Sequence, residues 1–520
     1  MKKLVSLLAA ILVLALPLIN AWAELSPNTN AEGLPIVKEK ETFQIYTYRQ
    51  VLDLSDSYND KIAEKTAEER TNIHIDWIES TNTTEQINLM LASGEMPDAF
   101  MACLTESQVL MNKSRFIPLQ DLIVEYAPNL KKLYDEYDLW DLALQEDGNI
   151  YTLCTAEMLY HESMAGGIPM VNSSWLENLG LEMPTTLDEY YNMLVAFRDG
   201  DPNQNGIKDE IPIIFCQNDW CTHFMELGGA WGFTDYFKIV DGKYIMTPML
   251  PEFRSFLEFY HKCYDEGLID PEGFSQTMQQ WITKWREGKV GICYIWTANA
   301  CLPEEEAKLW KVLRPVKVPD YDGPAVVTGR KDLNTTNRYG FGITTSCKNP
   351  EALIRWVDAQ NADTETKMLW RLGERGKLWD YAEDGSLITL YPEATETMGI
   401  ENMKYTWAHV NIVPSLHTPD EIEKPDAEKA PAGAVRWQMV DSVYDLIPDQ
   451  GTPYRTPPAD KLEERELLWV ELKDYLDNFV ATSVINGVTD ESWEEHLATA
   501  EAYGIYEYQQ WWQDFMDGKF

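Results

Sequence analysis

Ten consecutive residues, Asp201-Pro202-Asn203-Gln204-Asn205-Gly206-Ile207-Lys208-Asp209-Glu210, carry oxygen donors at the first, third, fifth, ninth and tenth positions. Hard cations such as calcium take six to eight oxygens from a loop wrapped around the ion. A glycine at the sixth place permits the sharp turn that such a loop needs. The seventh residue of an EF-hand loop gives only its backbone carbonyl, so Ile207 is no obstacle there. The twelfth position, a glutamate in that pattern, is Pro212 here. A bidentate ligand would then have to come from Asp209 or Glu210. A solvated Asn/Gly turn fits the same residues, and spacing alone leaves both readings open.

The elements that must position this loop are legible on either side of it. Thr186 and Glu189 stand at capping-box spacing and open a helix with Leu187, Tyr190, Leu194 and Phe197 on one face. That helix runs into the loop, and Ile211 to Cys216 reads as the strand after it. Earlier, Phe43–Tyr48 and Ile73–Ile78 alternate as strands, and Pro97–Met101 reads as a short buried strand. Polar, helix-compatible stretches separate them, an α/β pattern with parallel pairing. Gly291–Trp296 is a strand that ends in an aromatic, and Leu227–Gly232 is a Gly-rich bend holding Trp231. Leu468, Leu472, Tyr475 and Phe479 mark a C-terminal helix. There are no internal repeats.

At 520 residues the chain is too long for one core. Its 85 acidic against 43 basic residues give a formal charge of -42, which excludes nucleic acid and anionic membrane as partners. Lys2 and Lys3 precede an apolar run from Leu4 to Leu16, and Ala21-Trp22-Ala23 is a small-x-small cleavage site. Residues 1–23 are therefore expected to be a signal peptide. The product would be exported, periplasmic or extracellular, with no cysteine near the cleavage site for a lipid anchor. Residues 24–41 read as a flexible leader. Eight cysteines and seven histidines are scattered without metal-site spacing, and buried free thiols are expected.

Several short motifs, in this order, are shared with one family. They are Ala92-Ser93-Gly94-Glu95-Met96-Pro97-Asp98, Asp147 to Tyr151, Trp175-Leu176 through Leu179-Gly180, and Pro184 to Glu189, followed by Asp201 to Glu210. Later come Glu266-Gly267-Leu268-Ile269-Asp270-Pro271, Gly288-Lys289-Val290-Gly291, Gly342-Ile343-Thr344 and Asn349-Pro350-Glu351-Ala352. Over nearly the whole mature chain the sequence resembles the extracellular solute-binding proteins of family 1, the receptors of sugar-importing ABC transporters. The resemblance implies an α/β, two-lobe, periplasmic-binding-protein-like fold of type 2. Residues 42–155 plus 320–452 would form the N-terminal lobe, and 156–319 plus 453–520 the C-terminal lobe. Hinge crossings are expected near Cys154–Val171, Val312–Pro319 and Pro453–Pro458. Larger members of the family are similar in having a calcium loop at the Asp201 position. That implies Asp201, Asn203, Asn205, the Ile207 carbonyl, Asp209 and Glu210 as ligands of a structural Ca2+.

A sugar offers C–H faces to flat aromatics and hydroxyls to planar polar groups. Ligands of open α/β sheets sit beyond the carboxyl ends of strands. Trp296 and Trp231 are the expected platforms, since aromatics at both places stack on ligand in similar sugar receptors. Trp220, Trp407 and Trp437 are further loop or strand-end candidates, and Trp281 with Trp285 are expected in the core. The polar candidates are Tyr48 and Arg49 ending the first strand, Asp98 after Pro97, Glu157 in the first crossing, and Arg338. The expected partners are a carbohydrate, an oligosaccharide above all, and a membrane permease of an ABC transporter, with the receptor monomeric. No enzyme is expected. A secreted glycan-active enzyme would need two carboxylates across the site, and among 85 acidic residues some pair always fits. There is no GxSxG, P-loop or GxGxxG motif. A surface glycan sensor without transport would use the same pocket and stays open as an alternative.

Overall fold

The computed structural model describes residues 25–81, 83–137, 139–157, 166–329, 335–390, 392, 399–409, 416–417, 438–449, 451–453 and 456–520. The signal-peptide expectation and Trp437 lie outside them. Two sheets carry two lobes. The first lobe is built on β1 (Glu41–Tyr48), β2 (Ile73–Ser80), β3 (Ala99–Met101) and β4 (Leu153–Glu157). The chain then enters the second lobe with β5 (Ile168–Asn172) and β6 (Ile211–Ile213), the hairpin β7 (Phe237–Val240) and β8 (Lys243–Met246), β9 (Val290–Ile295) and β10 (Trp310–Val312). It returns to the first lobe with β11 (Thr335–Ile343), a small hairpin of β12 (Trp379–Tyr381) and β13 (Leu387–Thr389), and β14 (Leu416–His417).

The first sheet runs β14-β4-β11-β3-β1-β2 and the second β10-β5-β9-β6. β1 is parallel to both β2 and β3, and β11 is antiparallel to β3 and β4. The alternation read in Phe43–Tyr48 is explained by this placement. Phe43 and Ile45 point into a core with Trp77, Phe341 and Trp356, while Tyr46 points to the other face with Phe100 and Phe116. Because β1 and β3 are parallel, with Thr47 opposite Met101, their carboxyl ends coincide at one edge of the lobe.

The second lobe's core gathers Trp175, Phe197, Phe224, Trp231, Phe256 and Tyr260 with Leu472, Leu476 and Val480. The last three come from the helix Ala459–Asn486, the expected C-terminal helix. Two further helices, Asp490–Ala502 and Ile505–Met516, follow it.

Three expectations change. Residues 25–41 are not a loose leader: Ile36 and Val37 are buried in the first core, and the Ile36 amide donates to the Thr71 carbonyl. An apolar pair over the open end of a helix is worth more buried than solvated. The chain stays on the second lobe beyond Pro319, because the Val326 and Val327 amides bond to Gly229 and Leu446 carbonyls. The second crossing therefore falls after Thr328. Finally, Met439, Val440, Val443 and Ile447 pack with Trp281 and Cys293 of the second lobe, so the third crossing precedes them.

Candidate functional site

The carboxyl end of β9 delivers Trp296 to the surface of the second lobe, and the loop after β6 returns beside it. That loop is a tight polar turn. The Cys216 amide donates to the Thr222 carbonyl at 2.9 Å. Asp219 Oδ1 accepts from the Cys221 amide at 3.0 Å and the Thr222 hydroxyl at 3.3 Å. Gly167 on the first crossing lies directly under this turn, where a Cβ would stand 2.0 Å from the Cys221 carbonyl oxygen. The turn holds Trp220 out into solvent, 63% exposed, with its ring 5.8 Å from that of Trp296 at an interplanar angle of 50°. Two tryptophans thus form one folded aromatic wall.

The first lobe faces this wall with the end of β1. Burial raises the pKa of the Tyr48 phenol, and the charge of Asp219, across the gap, adds to the rise. Just beyond, Leu52 packs against the second-lobe cluster that also carries Trp296. The Leu52 carbonyl accepts from Asn402 Nδ2 at 3.1 Å, and Arg286 Nη2 of the second lobe donates to Asn402 Oδ1 at 3.0 Å. The lobes also meet where Arg465 of the second donates to Glu106 of the first at 3.1 Å, and Tyr339 donates to the other oxygen of Glu106. These contacts join the two lobes beside Tyr48, Asp219, Trp220 and Trp296.

The other predicted residues fall elsewhere. Trp231 is 1% exposed, its ring among Phe256, Phe259 and Tyr260, and its Nε1 donates to Ser255. The Gly-rich bend folds inward rather than into the cleft, so Trp231 is a core residue. Arg49 is committed to Glu79, Asp53 and the Ser55 carbonyl. Asp98 accepts from the Gln44 amide at the start of β3, the end opposite Tyr48. Trp407 ends the helix Ile400–Trp407 and packs beside the small cluster of Met368, Leu378 and Trp379. Glu157 and Arg338 sit on β4 and β11, with their side chains outside the described residues. Trp281 and Trp285 are buried core residues, as expected. Asp219 was missed by sequence reasoning; its signal, a short acid between two turn residues and a tryptophan, is common in any loop. No disulfide joins any of the eight cysteines.

The ion-loop residues form a hydrogen-bonded turn. The predicted capping box forms, with the Thr186 side chain accepting from the Glu189 amide and Glu189 reaching back. The helix Leu187–Asp199 ends at Gly200, and the loop begins with Asp201 at φ 48 and continues through Gln204 at 58 and Gly206 at 74. Asp201 accepts from the Gly206 amide, Asn203 from the Asn205 amide and Asn205 from the Ile207 amide. Asn205 Nδ2 donates to Asp209 at 3.0 Å. Glu210 Oε1 is buried with no hydrogen-bond partner, and burial raises its pKa, with the Asp209 and Asp201 charges adding to the rise. A buried, unsatisfied carboxylate oxygen beside two like charges is a group that a cation would satisfy. The donor set is all oxygen, as calcium requires. No group of three His, Cys, Asp or Glu side chains already stands at metal-holding distance among the described residues.

A cavity of about 790 Å³ lies on the outside of the first lobe between residues 31–36 and the helices Gln120–Tyr126, Pro128–Glu136 and Pro350–Gln360. Four of its charged groups serve the fold. Arg355 donates to the Asn30 and Gly33 carbonyls, Lys131 pairs with Asp135, and Asp358 accepts from the Asn129 and Leu130 amides. Size alone does not make it the functional site.

No protein-family model matches the chain. It is 29% identical over 516 residues to FusA of Streptococcus pneumoniae, a fructooligosaccharide ABC transporter substrate-binding protein, covering 93% of this chain and 91% of that one. The fold superposes on FusA in complex with kestose with a TM-score of 0.81 at 26% identity, over 92% of this chain and 99% of that chain. An EF-hand mutant of the same protein, in complex with fructo-nystose, superposes equally, with the same TM-score, identity and coverage. Among the described residues no helix is long and apolar enough to cross a membrane. The likeness, in sequence over most of both chains and in the two-lobed α/β fold, is to the substrate-binding proteins of ABC transporters.

Proposed function

We propose that the protein captures an oligosaccharide between its lobes and presents it to the membrane permease of an ABC importer. The observation that carries this reading is the aromatic wall of Trp220 and Trp296 at the carboxyl end of β9, facing Tyr48 across the cleft. Flat rings on one side and hydroxyl-binding groups on the other suit the two kinds of surface on a sugar. The fructooligosaccharide specificity of FusA supports the carbohydrate class. A ligand that touches both lobes binds the closed form better than the open one, and so shifts the balance toward closure. Binding without turnover is expected, since FusA is a binding protein.

The loop from Asp201 to Glu210 would hold a structural calcium through Asp201, Asn203, Asn205, the Ile207 carbonyl, Asp209 and Glu210. The EF-hand of FusA supports this assignment, as does the unpartnered Glu210 oxygen. The ion would tie the end of the helix Leu187–Asp199 to β6 and supply charge neutralisation, without touching the sugar. Melting the mature protein in calcium and in chelator tests it. Wild type should melt higher in calcium, and Asp201→Ala should abolish that difference while leaving ligand specificity intact. Equal wild-type melting in the two buffers would sink the ion assignment.

The carbohydrate reading is tested by thermal shift in calcium against a panel of oligosaccharides, with the sugars analysed afterward. A ligand at 100 times its Kd stabilises by about 2.7 kcal/mol, which reads as a shift of a few degrees. A saturable shift with intact sugar supports a receptor, and breakdown products would instead indicate an enzyme.

A further inference from the structure

Oligosaccharides come neutral or studded with carboxylates, and the sign of the groups facing the ligand selects between them. A uronate is held by a cation with donors to spare, an arginine fork above all. Three described cations, Arg49, Arg465 and Lys473, are already engaged. Arg49 is held by Glu79 and Asp53 and stands over the Tyr58 ring. Arg465 is held between Glu106 and Glu466 and lies against Trp511 and Trp512. Lys473 pairs with Asp477.

Asp219 is different. Its Oδ1 fastens the loop by accepting from Cys221 and Thr222. Both of these bonds fall on the same oxygen, and the Cys221 thiol also lies within reach of the carboxylate. It is placed next to the exposed Trp220 and across from Tyr48. We propose that the cleft takes neutral oligosaccharides and turns away uronate-bearing ones. Asp219 Oδ2 accepts from sugar hydroxyls beside the Trp220–Trp296 wall, and the Tyr48 hydroxyl completes the polar contact from the other lobe. A sugar hydroxyl donates to a carboxylate in a charge-assisted bond. A sugar carboxylate at that place meets a like charge, in the field of a chain carrying -42. This inference rests on the cleft being a carbohydrate site.

The test is calorimetric titration of the mature protein at low salt with two probe sets: neutral fructan and glucan trimers to hexamers, and oligogalacturonates and alginate oligomers of the same lengths. At least one neutral probe is expected to bind, and the uronates to bind at least 100-fold more weakly. D219N keeps an oxygen for the Cys221 amide and removes the charge. It should weaken neutral binding about tenfold or more with an unchanged melting temperature, and narrow the gap to the uronates. Uronate binding equal to or tighter than neutral binding overturns the proposal while leaving the carbohydrate reading intact, and so does D219N binding neutral sugar as wild type does. Failure of every probe in both sets, with the protein folded, overturns the carbohydrate reading itself.

Discussion

Trp296 and Trp231 stand in the same lobe, each beside a glycine-marked bend or strand, yet their surroundings assign them opposite work. Trp296 leaves β9 half-buried and meets the open face of Trp220, whereas Trp231 turns inward and vanishes among Phe256, Phe259 and Tyr260. The difference is one of direction rather than composition. A strand that ends at the sheet's carboxyl edge must point its next side chain toward the facing lobe. A tight Gly-rich helical turn, Phe224–Trp231, buries every residue it holds. An abundance of aromatics therefore serves mostly the core, and the proposed binding face is the small part carried past strand ends.

The largest effect should come from the buried member of the pair. Trp231→Ala removes a fully packed ring and should cost about 3–5 kcal/mol of stability, measured by denaturant melts. Any ligand affinity that survives should be near wild type. On the same buried side, His496 lies flat on Phe479, with ring centroids 3.7 Å apart and Nε2 against the Pro248 carbonyl. Burial pulls its pKa down to about 4. The folded state thus keeps His496 neutral where the unfolded chain, near 6.5, binds a proton. Its contribution is complete above pH 6.5 and is lost as pH falls from there through 4, about 3 kcal/mol in all. Asp235 and Asp358, both pushed up to about 6 by burial, act with the opposite sign as pH falls. Comparison with His496→Gln isolates the histidine: wild type should lose more stability than the variant over that window.

The half-buried member predicts the reverse pattern. Trp296→Ala should cost about 2 kcal/mol of ligand binding, near 30-fold in Kd, with little change in melting temperature. Equal losses of affinity and stability would erase the distinction between the two tryptophans. The smallest effect belongs to the contact that joins the lobes. Glu106→Gln weakens its pairing with Arg465, a part-buried ion pair, and should raise the ligand Kd about threefold, since such pairs contribute about 0.5–1 kcal/mol. Titration calorimetry on the variant reads this directly.

Much of this was legible in the sequence where the signal is local. The Thr186–Glu189 box, the alternation of Phe43–Tyr48 and the turn at Gly206 are each set by neighbours within a few residues, and each is found. The order of short motifs carried the fold class. What escaped depends on distant contacts. The burial of Ile36 and Val37 needs the end of the helix Ile62–Thr71, and the late second crossing needs Gly229 and Leu446. Arg49 looked free at the end of β1 because Glu79, thirty residues on, could not be placed beside it. Asp98 looked like a strand-end group, but the parallel register of β1 and β3 puts it at the wrong end. Asp219 gave no distinguishing signal, because its role depends on what faces it across the cleft.

The central claim is that the wall of Trp220 and Trp296 binds sugar while Trp231 only supports the lobe. Calorimetric titration of the best-bound oligosaccharide into wild type, Trp296→Ala and Trp231→Phe decides it, with melting temperatures recorded on the same samples. The account predicts saturable binding to wild type, near-wild-type affinity for Trp231→Phe, and a loss of about 30-fold for Trp296→Ala with its melting temperature retained. Wild-type affinity in folded Trp296→Ala would contradict it.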